Sequence, residues 1–418
     1  MSIENAMIRR VGSIAAMQAG GRRRLDPFSP EAAERRWRKI GNDAGQAHVL
    51  DETARATSQA CRRNIERYIG TVKVPIGLAG PLKVNGGFAR GSYHLPLATT
   101  EAALVASYHR GARLITAAGG CTARVLKEGV SRSPGFAFRN LVEVETFLEW
   151  VDGQLANFRR VAQSTTRYGK LTAVRPTVEG NHVYLECEFV TGDASGQNMV
   201  TFATEAICTF VLEHTPAQPQ YFFLEANHSG DKKATSKALG SVRGRRVCAE
   251  VEIPAELVRR MLHTEPTRMS DYARMATTGA AVSGAIGLQG HYANGLAALY
   301  LACGQDVACV AESAVGITRL EVTDSGSLYA AVTLPNIMVG TVGGGTHLPS
   351  QKGCLDIMGL AGPGKSRALA EICGGLVLAG ELSLVGALCA GEFANAHKRL
   401  ARGVSPRIAA PMIREVAQ

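Results

Sequence analysis

The amino-acid sequence predicts an α+β fold, in which a large, mostly helical domain surrounds a central helix and sheet and carries an inserted small ferredoxin-like split-βαβ domain. Two observations predict this arrangement. Strand and helix signals between residues 137 and 226 include the order strand, hairpin, helix, strand, which is typical of a split-βαβ unit. The chain of 418 residues is also too long for one ordinary core, so further domains are expected around this unit.

Changes in composition along the chain predict four segments. An N-terminal helical segment covers residues 1–65, a large domain combines residues 66–134 with residues 227–395, a small domain covers residues 135–226, and a C-terminal flap covers residues 396–418. The first segment is rich in Arg, Ala and Glu with few β-branched residues, which favours helices, and a loop is expected around residues 26–30.

Two elements are predicted in the first part of the large domain. The segment from Val74 to Leu82 is punctuated by Gly and Pro, which indicates a strand and a turn. A helical period then runs from Thr99 to about Ala118, with Thr99 or Thr100 as the expected N-cap. Glu101 therefore lies at the start of a predicted helix.

The small domain begins with helix signals near residues 142–160. Alternating apolar and polar residues from Val183 to Val190 predict a strand, and Tyr221 to Leu224 predict a shorter one. Between these strands, Gly192 and Asp193 start a predicted amphipathic helix. One face of that helix carries Met199, Ala203, Ile207 and Phe210.

The second part of the large domain contains strands and a long apolar segment. A strand pair is predicted from Arg246 to Ile253 and from Gly316 to Leu334. The most apolar stretch, Cys373 to Ala394, is interrupted by Glu381 and Glu392. This stretch therefore predicts a buried core helix and not a membrane span.

The formal net charge of +10, much of it near the N-terminus, is open to three interpretations. A basic run is most often a solvated surface, but it also attracts polyanionic small molecules such as CoA or NADP derivatives, or nucleic acid. Nucleic acid is the least favoured, because Trp37 alone interrupts the run from Arg35 to Lys39 and single-strand binding needs stacking rings.

The ten cysteines are scattered along the chain, and no two have the CxxC spacing of a zinc ribbon or a redox pair. No metal site is therefore expected. Unpaired cysteines fit a reducing compartment, so we expect a cytoplasmic protein.

Two glycine-containing loops are candidates for binding phosphate groups, although no GxGxxG motif follows a strand. The loop Gly192–Asn198 precedes a predicted helix, whose N-terminus offers free N–H donors. The loop Gly340–Thr346 contains consecutive glycines that can form a nest of N–H groups. Either loop, taken alone, is also explained as a simple turn.

Four charged positions are candidates for catalysis, and each has a competing structural interpretation. Glu101 could complement a helix dipole, and His397 could cap the long Ala/Gly helix. Asp231-Lys232-Lys233 has the form of a solvated charged loop. Asp306 is harder to explain in structural terms, because it follows the apolar helix predicted from Ala293 to Ala302.

Six segments together resemble the signature blocks of the hydroxymethylglutaryl-CoA (HMG-CoA) reductase family. They occur in the family's order, and the similarity extends over about residues 60–403. One block is weakly specific, whereas six blocks in order are highly specific. The blocks are Val74 to Leu82, Thr99 to Glu101, Gly192 to Met199, Asp231 to Lys233, Ala302 to Asp306 and Gly340 to Thr346.

The resemblance implies an enzyme of the mevalonate (isoprenoid) pathway that reduces HMG-CoA to mevalonate and CoA with two NADPH. It implies that Lys232 meets the oxyanion of the thioester and that Asp306 pairs with Lys232. In the same cluster, a protonated Glu101 would donate to the aldehyde oxygen, and His397 would protonate the CoA thiolate. The missing Rossmann motif is consistent, since this family binds NADP(H) on the small domain.

The resemblance also implies positions that bind ligands. The substrate positions are Arg132, Asp231, Lys233, Arg274 and Asn294, and the cofactor positions are Arg167, Asp193, Ser195, Gly196, Gln197, Asn198, Gly343, Gly344, Gly345 and Arg402. Arg167 and Arg402 match the class I branch, and such basic residues favour the 2′-phosphate of NADPH. The large domain would bind the CoA ester and dimerise, giving a homodimer or a dimer of dimers with a shared active site, and neither nucleic acid nor a membrane is an expected partner.

Several positions depart from the family pattern. Methionines are usual where this chain has Ser195 and Gln197, and a lysine is usual at Arg274. Glu225 replaces a small serine, and a second carboxylate beside that of the substrate is repulsive unless it points away or pairs with Arg132 or Arg274. Three alternatives therefore stay open: an NAD-dependent enzyme that degrades mevalonate, a reductase of a related acyl-CoA, and a CoA-ester-binding protein without catalysis.

Overall fold

The computed structural model describes residues 25–394, so His397, Arg402 and the predicted flap lie outside the described residues. The chain divides into two compact units, with the boundary between Lys73 and Val74. The helices are α1 (Pro30–Ile40), α2 (Asp43–Val49), α3 (Glu52–Thr57), α4 (Leu104–Ala117), α5 (Leu141–Asp152), α6 (Leu155–Thr165), α7 (Gln197–His214), α8 (Lys237–Gly240), α9 (Ala255–Leu262), α10 (Pro266–Ser283), α11 (Tyr292–Ala302), α12 (Val310–Ser313), α13 (Pro349–Ile357) and α14 (Ser366–Cys389). The strands are β1 (Ile76–Asn85), β2 (Arg90–Ala98), β3 (Thr122–Arg132), β4 (Gly135–Ala137), β5 (Lys170–Glu179), β6 (His182–Val190), β7 (Tyr221–Phe223), β8 (Gly244–Ile253), β9 (Ile317–Val322) and β10 (Leu328–Ile337). Short 3-10 turns cover Ser58–Cys61, Val307–Cys309 and Gly344–His347.

The first unit consists of the helices α1 to α3 and the chain that follows them. The side chains of Ser29, Asn42 and Asp51 cap the three helices by accepting backbone N–H bonds. This unit runs eight residues beyond the predicted end at residue 65, because the following residues complete its core. The Trp37 Nε1 atom donates to the carbonyl oxygen of Ile69 at 2.7 Å.

The second unit contains a large antiparallel sheet with the strand order β3-β8-β10-β9. The helix α14 packs against β8 and β10 of this sheet and against α4. Among the described residues, α14 alone is long and apolar enough to cross a membrane, yet 83% of its most apolar window is buried inside the protein. The helix is therefore the buried core helix that the sequence predicts, and its glycines permit close packing: a Cβ atom at Gly380 would lie 2.5 Å from the ring of Tyr108.

The inserted segment forms a smaller antiparallel sheet with the strand order β7-β4-β6-β5. Its helices α5, α6 and α7 complete a β-α-α-β-β-α-β arrangement, which is the expected ferredoxin-like split-βαβ topology with an extra helix. The end of β3 joins the two sheets, because residues 130–132 pair with residues 187–189 of β6. The predicted α+β class is confirmed.

Several predicted boundaries are wrong, and each has a local cause. The helix α4 starts at Leu104 and not after Thr99, because Ala103 adopts a left-handed φ of 72° and the Thr99 hydroxyl accepts the N–H of Glu101. The helix α7 starts at Gln197, after Gly196 at φ 81°, so the loop from Gly192 lies before the helix.

Three further elements differ from their predicted form. The helix signals near residues 142–160 belong to two helices, α5 and α6, and the segment 316–334 contains two strands joined by a hairpin, β9 and β10. The helix α14 ends at Cys389, and the predicted capping by His397 falls on a residue outside the described range. Gly391, at φ 70°, terminates this helix, and the next N–H, that of Glu392, donates to the Ala387 carbonyl.

Candidate active site

Lys232 and Asp306 form an ion pair at the centre of the candidate site. The Lys232 Nζ atom lies 2.8 Å from Asp306 Oδ2, and both side chains are 43% exposed. The hydrogen bond that Lys232 donates to Asp306 raises the pKa of Lys232, against the opposing effect of burial. Lys232 also has a left-handed φ of 55°, a conformation that is costly for a residue with a Cβ atom and that the surrounding contacts must hold. Asp306 thus holds the Lys232 ammonium in position while both side chains remain open to solvent.

Asp306 is positioned by the turn that follows α11. Gly304, at φ 67°, lies so close to the second glycine-rich loop that a Cβ atom there would meet the Gly345 carbonyl oxygen at 2.4 Å. The Asp306 Oδ1 atom accepts the N–H of Ala308 at 3.1 Å and so caps the next 3-10 turn. The other oxygen of this carboxylate is thereby directed to Lys232.

A network of buried charged side chains binds the Lys232 backbone. The Lys232 N–H donates to Glu312 Oε1 at 3.2 Å, and Glu312 Oε2 lies 2.9 Å from Arg243 Nε. Arg243 also pairs with Asp231 and donates to the Gln197 side chain at 3.1 Å. Burial raises the pKa of Glu312 to about 7, although the charge of Arg243 opposes this shift.

Asp231 connects this network to Arg132, whose Nη1 atom lies 3.0 Å from Asp231 Oδ2. Burial works to raise the pKa of Asp231, but the charges of Arg243 and Arg132 bring it below its ordinary value. The side chain of Lys233 donates to the Asp231 carbonyl oxygen at 3.0 Å and is exposed. Of the charged residues in this cluster, sequence reasoning missed Arg243 and Glu312.

The two glycine-rich loops predicted to bind phosphates lie against each other. The Thr341 N–H donates to the Asp193 carbonyl at 2.9 Å, and a Cβ atom at Gly340 would lie 2.6 Å from the Ser195 nitrogen. The Gly340 N–H in turn donates to the Gln305 side chain at 2.8 Å, which places these loops beside the Asp306 turn. The two loops that the sequence predicts to bind phosphates thus form one continuous surface.

The residues of this surface fit a dinucleotide phosphate. Gly343 and Gly344 have φ values of 74° and 54°, and Cβ atoms at either position would face open space, so ligand can approach the backbone. The hydroxyl of Thr341 is buried and has no hydrogen-bond partner within residues 25–394. Arg167 is exposed in the turn before Gly169, where a Cβ atom would lie 2.8 Å from the Met199 Sδ atom of α7.

Asp193 has a structural task within the same surface. Its carboxylate accepts the Gly364 N–H at 2.7 Å and both the N–H and the hydroxyl of Ser366 at 3.2 and 2.8 Å, at the N-terminus of α14. Burial works to raise the pKa of Asp193, but these hydrogen bonds lower it overall. Asp193 therefore ties the first loop to the core helix.

Glu101 lies in a separate cavity of about 230 Å³. This cavity is lined by Glu101, Tyr108, Arg110, His291 and Asn294, among others. Asn294 is near the N-terminus of α11 and Asp306 follows its C-terminus, so the two places are about 12 Å or more apart along the helix axis. Among residues 25–394, no hydrogen bond or ion pair joins Glu101 to Lys232 or Asp306.

Arg274 lies on α10, is 77% exposed in its side chain and pairs with Asp271 of the same helix. The structure therefore brings the substrate candidates Arg132, Asp231 and Lys233 together with Lys232, and places Arg274 and Asn294 elsewhere on the chain. Within the described ranges, no group of three His, Cys, Asp or Glu side chains has the arrangement of a metal site.

The chain matches the family described as hydroxymethylglutaryl-coenzyme A reductase over residues 32–402. A 3-hydroxy-3-methylglutaryl-coenzyme A reductase of Methanothermobacter thermautotrophicus is 45% identical over 347 residues, covering 82% of this chain and 87% of the relative. The Aeropyrum pernix protein of the same name is 44% identical, covering 82% of each chain. A solved structure of the class II enzyme from Streptococcus pneumoniae bound to NADPH has a TM-score of 0.64 at 20% identity, covering 86% of this chain and 96% of that one.

Proposed function

The chain belongs to the hydroxymethylglutaryl-coenzyme A reductase family, and we propose that it reduces HMG-CoA to mevalonate and free CoA with two molecules of NADPH. The observation that carries this proposal is the Lys232–Asp306 pair, held beside two glycine-rich loops on one surface. The reduction of a thioester requires a cation that stabilises the charge on the carbonyl oxygen, and beside it a surface that binds the phosphates of the hydride donor.

Lys232 stabilises the negative charge that grows on the carbonyl oxygen of the thioester. Removing such a preorganised donor typically costs about 3–4 kcal/mol of transition-state stabilisation. Asp306 keeps the Lys232 amine protonated and fixes its direction, since the hydrogen bond that Asp306 accepts from Lys232 raises the pKa of that lysine. Asp231, Arg132 and Lys233 line the same side of the site and bind the acyl-CoA.

The two glycine-rich loops would hold NADPH, which supplies the hydride when it is bound. The backbone from Ser195 to Asn198 and from Gly343 to Gly345 would bind its phosphates, and Arg167, together with Arg402, would select the 2′-phosphate. The relative of known structure that is named as binding NADPH shares this fold, which supports the assignment.

A second copy of the chain completes the site. Glu101 and Asn294 line a cavity that is separated from Lys232 and Asp306 by most of the length of α11, so one chain presents two halves. In a homodimer, or a dimer of dimers, the Glu101 half of one subunit faces the Lys232 half of its partner, and Arg274 joins the acyl site in the same way. Glu101 then donates a proton to the aldehyde oxygen, and His397 protonates the departing thiolate.

The ten cysteines are all free, and burial raises the pKa of several of these thiols, Cys187 and Cys303 among them. Thiols of this kind persist in a reducing compartment, so we place the enzyme in the cytoplasm.

The test is to incubate the purified protein with HMG-CoA and either NADPH or NADH and to follow the absorbance of the reduced nicotinamide. We expect two NADPH oxidised and one CoA thiol released for each HMG-CoA, with NADH much slower. A preference for NADH would favour the mevalonate-degrading alternative. Oxidation of neither cofactor would contradict the proposed reaction.

A further inference from the structure

The carboxylate of Glu225 lies at the edge of the Lys232 cluster and is fully occupied by hydrogen bonds. Its Oε1 atom accepts the Asn227 N–H at 3.0 Å and the Ser229 hydroxyl at 3.1 Å. Its Oε2 atom accepts from Arg132 Nη1 at 3.3 Å and from the Ser133 N–H at 3.4 Å. An ionised carboxylate has about four acceptor sites, so none is left for a ligand. Glu225 therefore acts on a substrate through Arg132 and not by direct contact.

Arg132 is buried, with 7% of its surface exposed, and the same Nη1 atom serves two carboxylates of the chain. Asp231 lies 3.0 Å and Glu225 3.3 Å from it. A substrate carboxylate that approached this Nη1 atom would compete with both of them. The Nε atom of Arg132 is buried and has no hydrogen-bond partner among the described residues, so it is not open to a ligand either. Without Glu225, Asp231 would share its own charge between Arg132 and Arg243, and Arg132 would retain a surplus.

The cluster contains equal numbers of basic and acidic side chains, and one acidic member, Glu312, carries only part of its charge at neutral pH because its pKa is raised to about 7. The basic members are Arg132, Lys232, Lys233 and Arg243, and the acidic members are Glu225, Asp231, Asp306 and Glu312. A carboxylate on the acyl group would enter as an additional, unpaired anion, which is unfavourable in a partly buried site. Lys233 is the remaining cation, but its ammonium is exposed, where an ion pair contributes little.

We infer that Glu225 is a specificity residue which takes the place of a distal carboxylate in the acyl-CoA substrate. This inference rests on the proposed function, because it assumes that Lys232 meets the thioester carbonyl. Arg132 pairs with Asp231, the residue that precedes Lys232, and we therefore place the acyl chain of a thioester held by Lys232 on the Arg132 side of the cluster. The site therefore accepts acyl-CoA thioesters whose acyl end is uncharged at least as well as HMG-CoA, whose own carboxylate is bound against the repulsion of Glu225.

The test compares HMG-CoA with 3-hydroxy-3-methylbutanoyl-CoA, which has the same branched hydroxyacyl group without the carboxylate. Dissociation constants of both esters are measured by calorimetry without NADPH, for the full-length protein and for Glu225→Ser and Glu225→Gln. The matched control is Glu321→Gln, which removes an exposed carboxylate paired with Arg319 on β9. Thermal melting identifies any variant that fails to fold, and Glu225→Gln retains the shape of the side chain.

We expect the unsubstituted protein to bind the neutral ester at least as tightly as HMG-CoA. Both Glu225 variants should tighten HMG-CoA binding by about tenfold and leave the neutral ester unchanged, because only HMG-CoA gains when Arg132 is paired with Asp231 alone. Glu321→Gln should change neither. An unsubstituted protein that prefers HMG-CoA by more than tenfold, or variants that leave the ratio of the two constants within twofold, would overturn the inference.

The same measurements separate this inference from the proposed reaction. If both esters bind but NADPH is not oxidised, the proposed function fails while the ratio of dissociation constants still decides the role of Glu225. If neither ester binds, both proposals are contradicted. If NADPH is oxidised and the ratio is unaffected by Glu225→Ser, the reaction stands and the inference fails.

Discussion

The Nε atom of Arg243 lies 2.9 Å from Oε2 of Glu312, and both side chains are almost completely buried, with 2% and 0% exposed. Breaking a buried pair is costly because it leaves an uncompensated charge, although the pair itself contributes little net stability. The role of this pair is to hold the Lys232 backbone in position. The second oxygen of Glu312 accepts the Lys232 N–H, so the pair supports a backbone conformation that lysine does not favour.

The first prediction concerns the pH dependence of stability that Glu312 causes. Burial raises the pKa of Glu312 from 4.5 to about 7, so the folded protein binds more protons at this site than the unfolded chain between these values. The free energy of unfolding should therefore fall as the pH rises from 4.5 to 7, by at most about 3 kcal/mol from this group. Glu312→Gln should remove that slope, which urea denaturation at a series of pH values measures. An unchanged slope, relative to the exposed control Glu321→Gln, would argue against a shifted carboxyl.

The second prediction concerns Lys232 as the oxyanion-binding cation. Lys232→Ala should lower kcat by about a hundredfold or more, since a preorganised donor to the oxyanion is lost, while the far-UV spectrum and the melting temperature stay close to those of the parent. Steady-state NADPH oxidation gives kcat. The matched control is Lys352→Ala, which removes an exposed lysine paired with Asp356 on α13. If Lys232→Ala retains near-normal turnover, another group binds the oxyanion.

The third prediction follows from the contact between Lys232 and Asp306. The pKa of Lys232 is raised mainly by its hydrogen bond to Asp306, so the ammonium form is lost only at unusually high pH. In Asp306→Asn the pKa of Lys232 should fall, and the alkaline limb of kcat/KM should move to lower pH. The profile of the parent and the variant from neutral pH upward measures this shift. An alkaline limb that stays in place would mean that Lys232 does not control it.

Much of this site was predictable from the sequence, because its members stand in compact blocks. Lys232 lies in Asp231-Lys232-Lys233, and Asp306 directly follows an apolar helix. Both can be found without knowing how the chain folds. The buried helix α14 was predictable for a similar reason, since an apolar stretch interrupted by single glutamates is a local pattern.

Arg243 and Glu312 were not predictable in the same way. Arg243 belongs to the basic run Arg243-Gly244-Arg245-Arg246 at the start of β8, and Glu312 lies in the short helix α12. Neither position departs from an ordinary surface pattern, and their burial appears only when distant segments meet. The start of α4 was mispredicted for a related reason: Thr99 has the composition of an N-cap, but its hydroxyl is used two residues later, by Glu101. The end of α14 did have a local signal in the sequence, because Gly391 can adopt the left-handed conformation that ends a helix. The apolar residues around Gly391 led the prediction to extend the helix past it.

The fourth prediction tests the shared site. If Glu101 and Lys232 of one active site come from different subunits, a heterodimer of Glu101→Ala and Lys232→Ala contains one intact site and one doubly substituted site. Random assortment of equal amounts should then restore about a quarter of the parental activity, although each variant alone is inactive. Co-expression with two different affinity tags and tandem purification isolates the mixed species, which should have about half of the parental activity because one of its two sites is intact. Its failure to recover activity would place both residues in the same chain's site.

The last prediction concerns the cofactor. Arg167 is exposed in the turn after α6, and Gly169 of the same turn packs against Met199 near the N-terminus of α7. The turn that carries Arg167 therefore borders the proposed dinucleotide surface. A guanidinium binds a phosphate through two parallel hydrogen bonds, and NADPH differs from NADH by one phosphate. Arg167→Ala should therefore raise the KM for NADPH by about tenfold and leave the KM for NADH unchanged. The matched control is Arg160→Ala, an exposed arginine of α6 one turn or more from that border, which should leave both values unchanged. Equal changes for the two cofactors would show that Arg167 does not contact the 2′-phosphate, because only an interaction with that group distinguishes them.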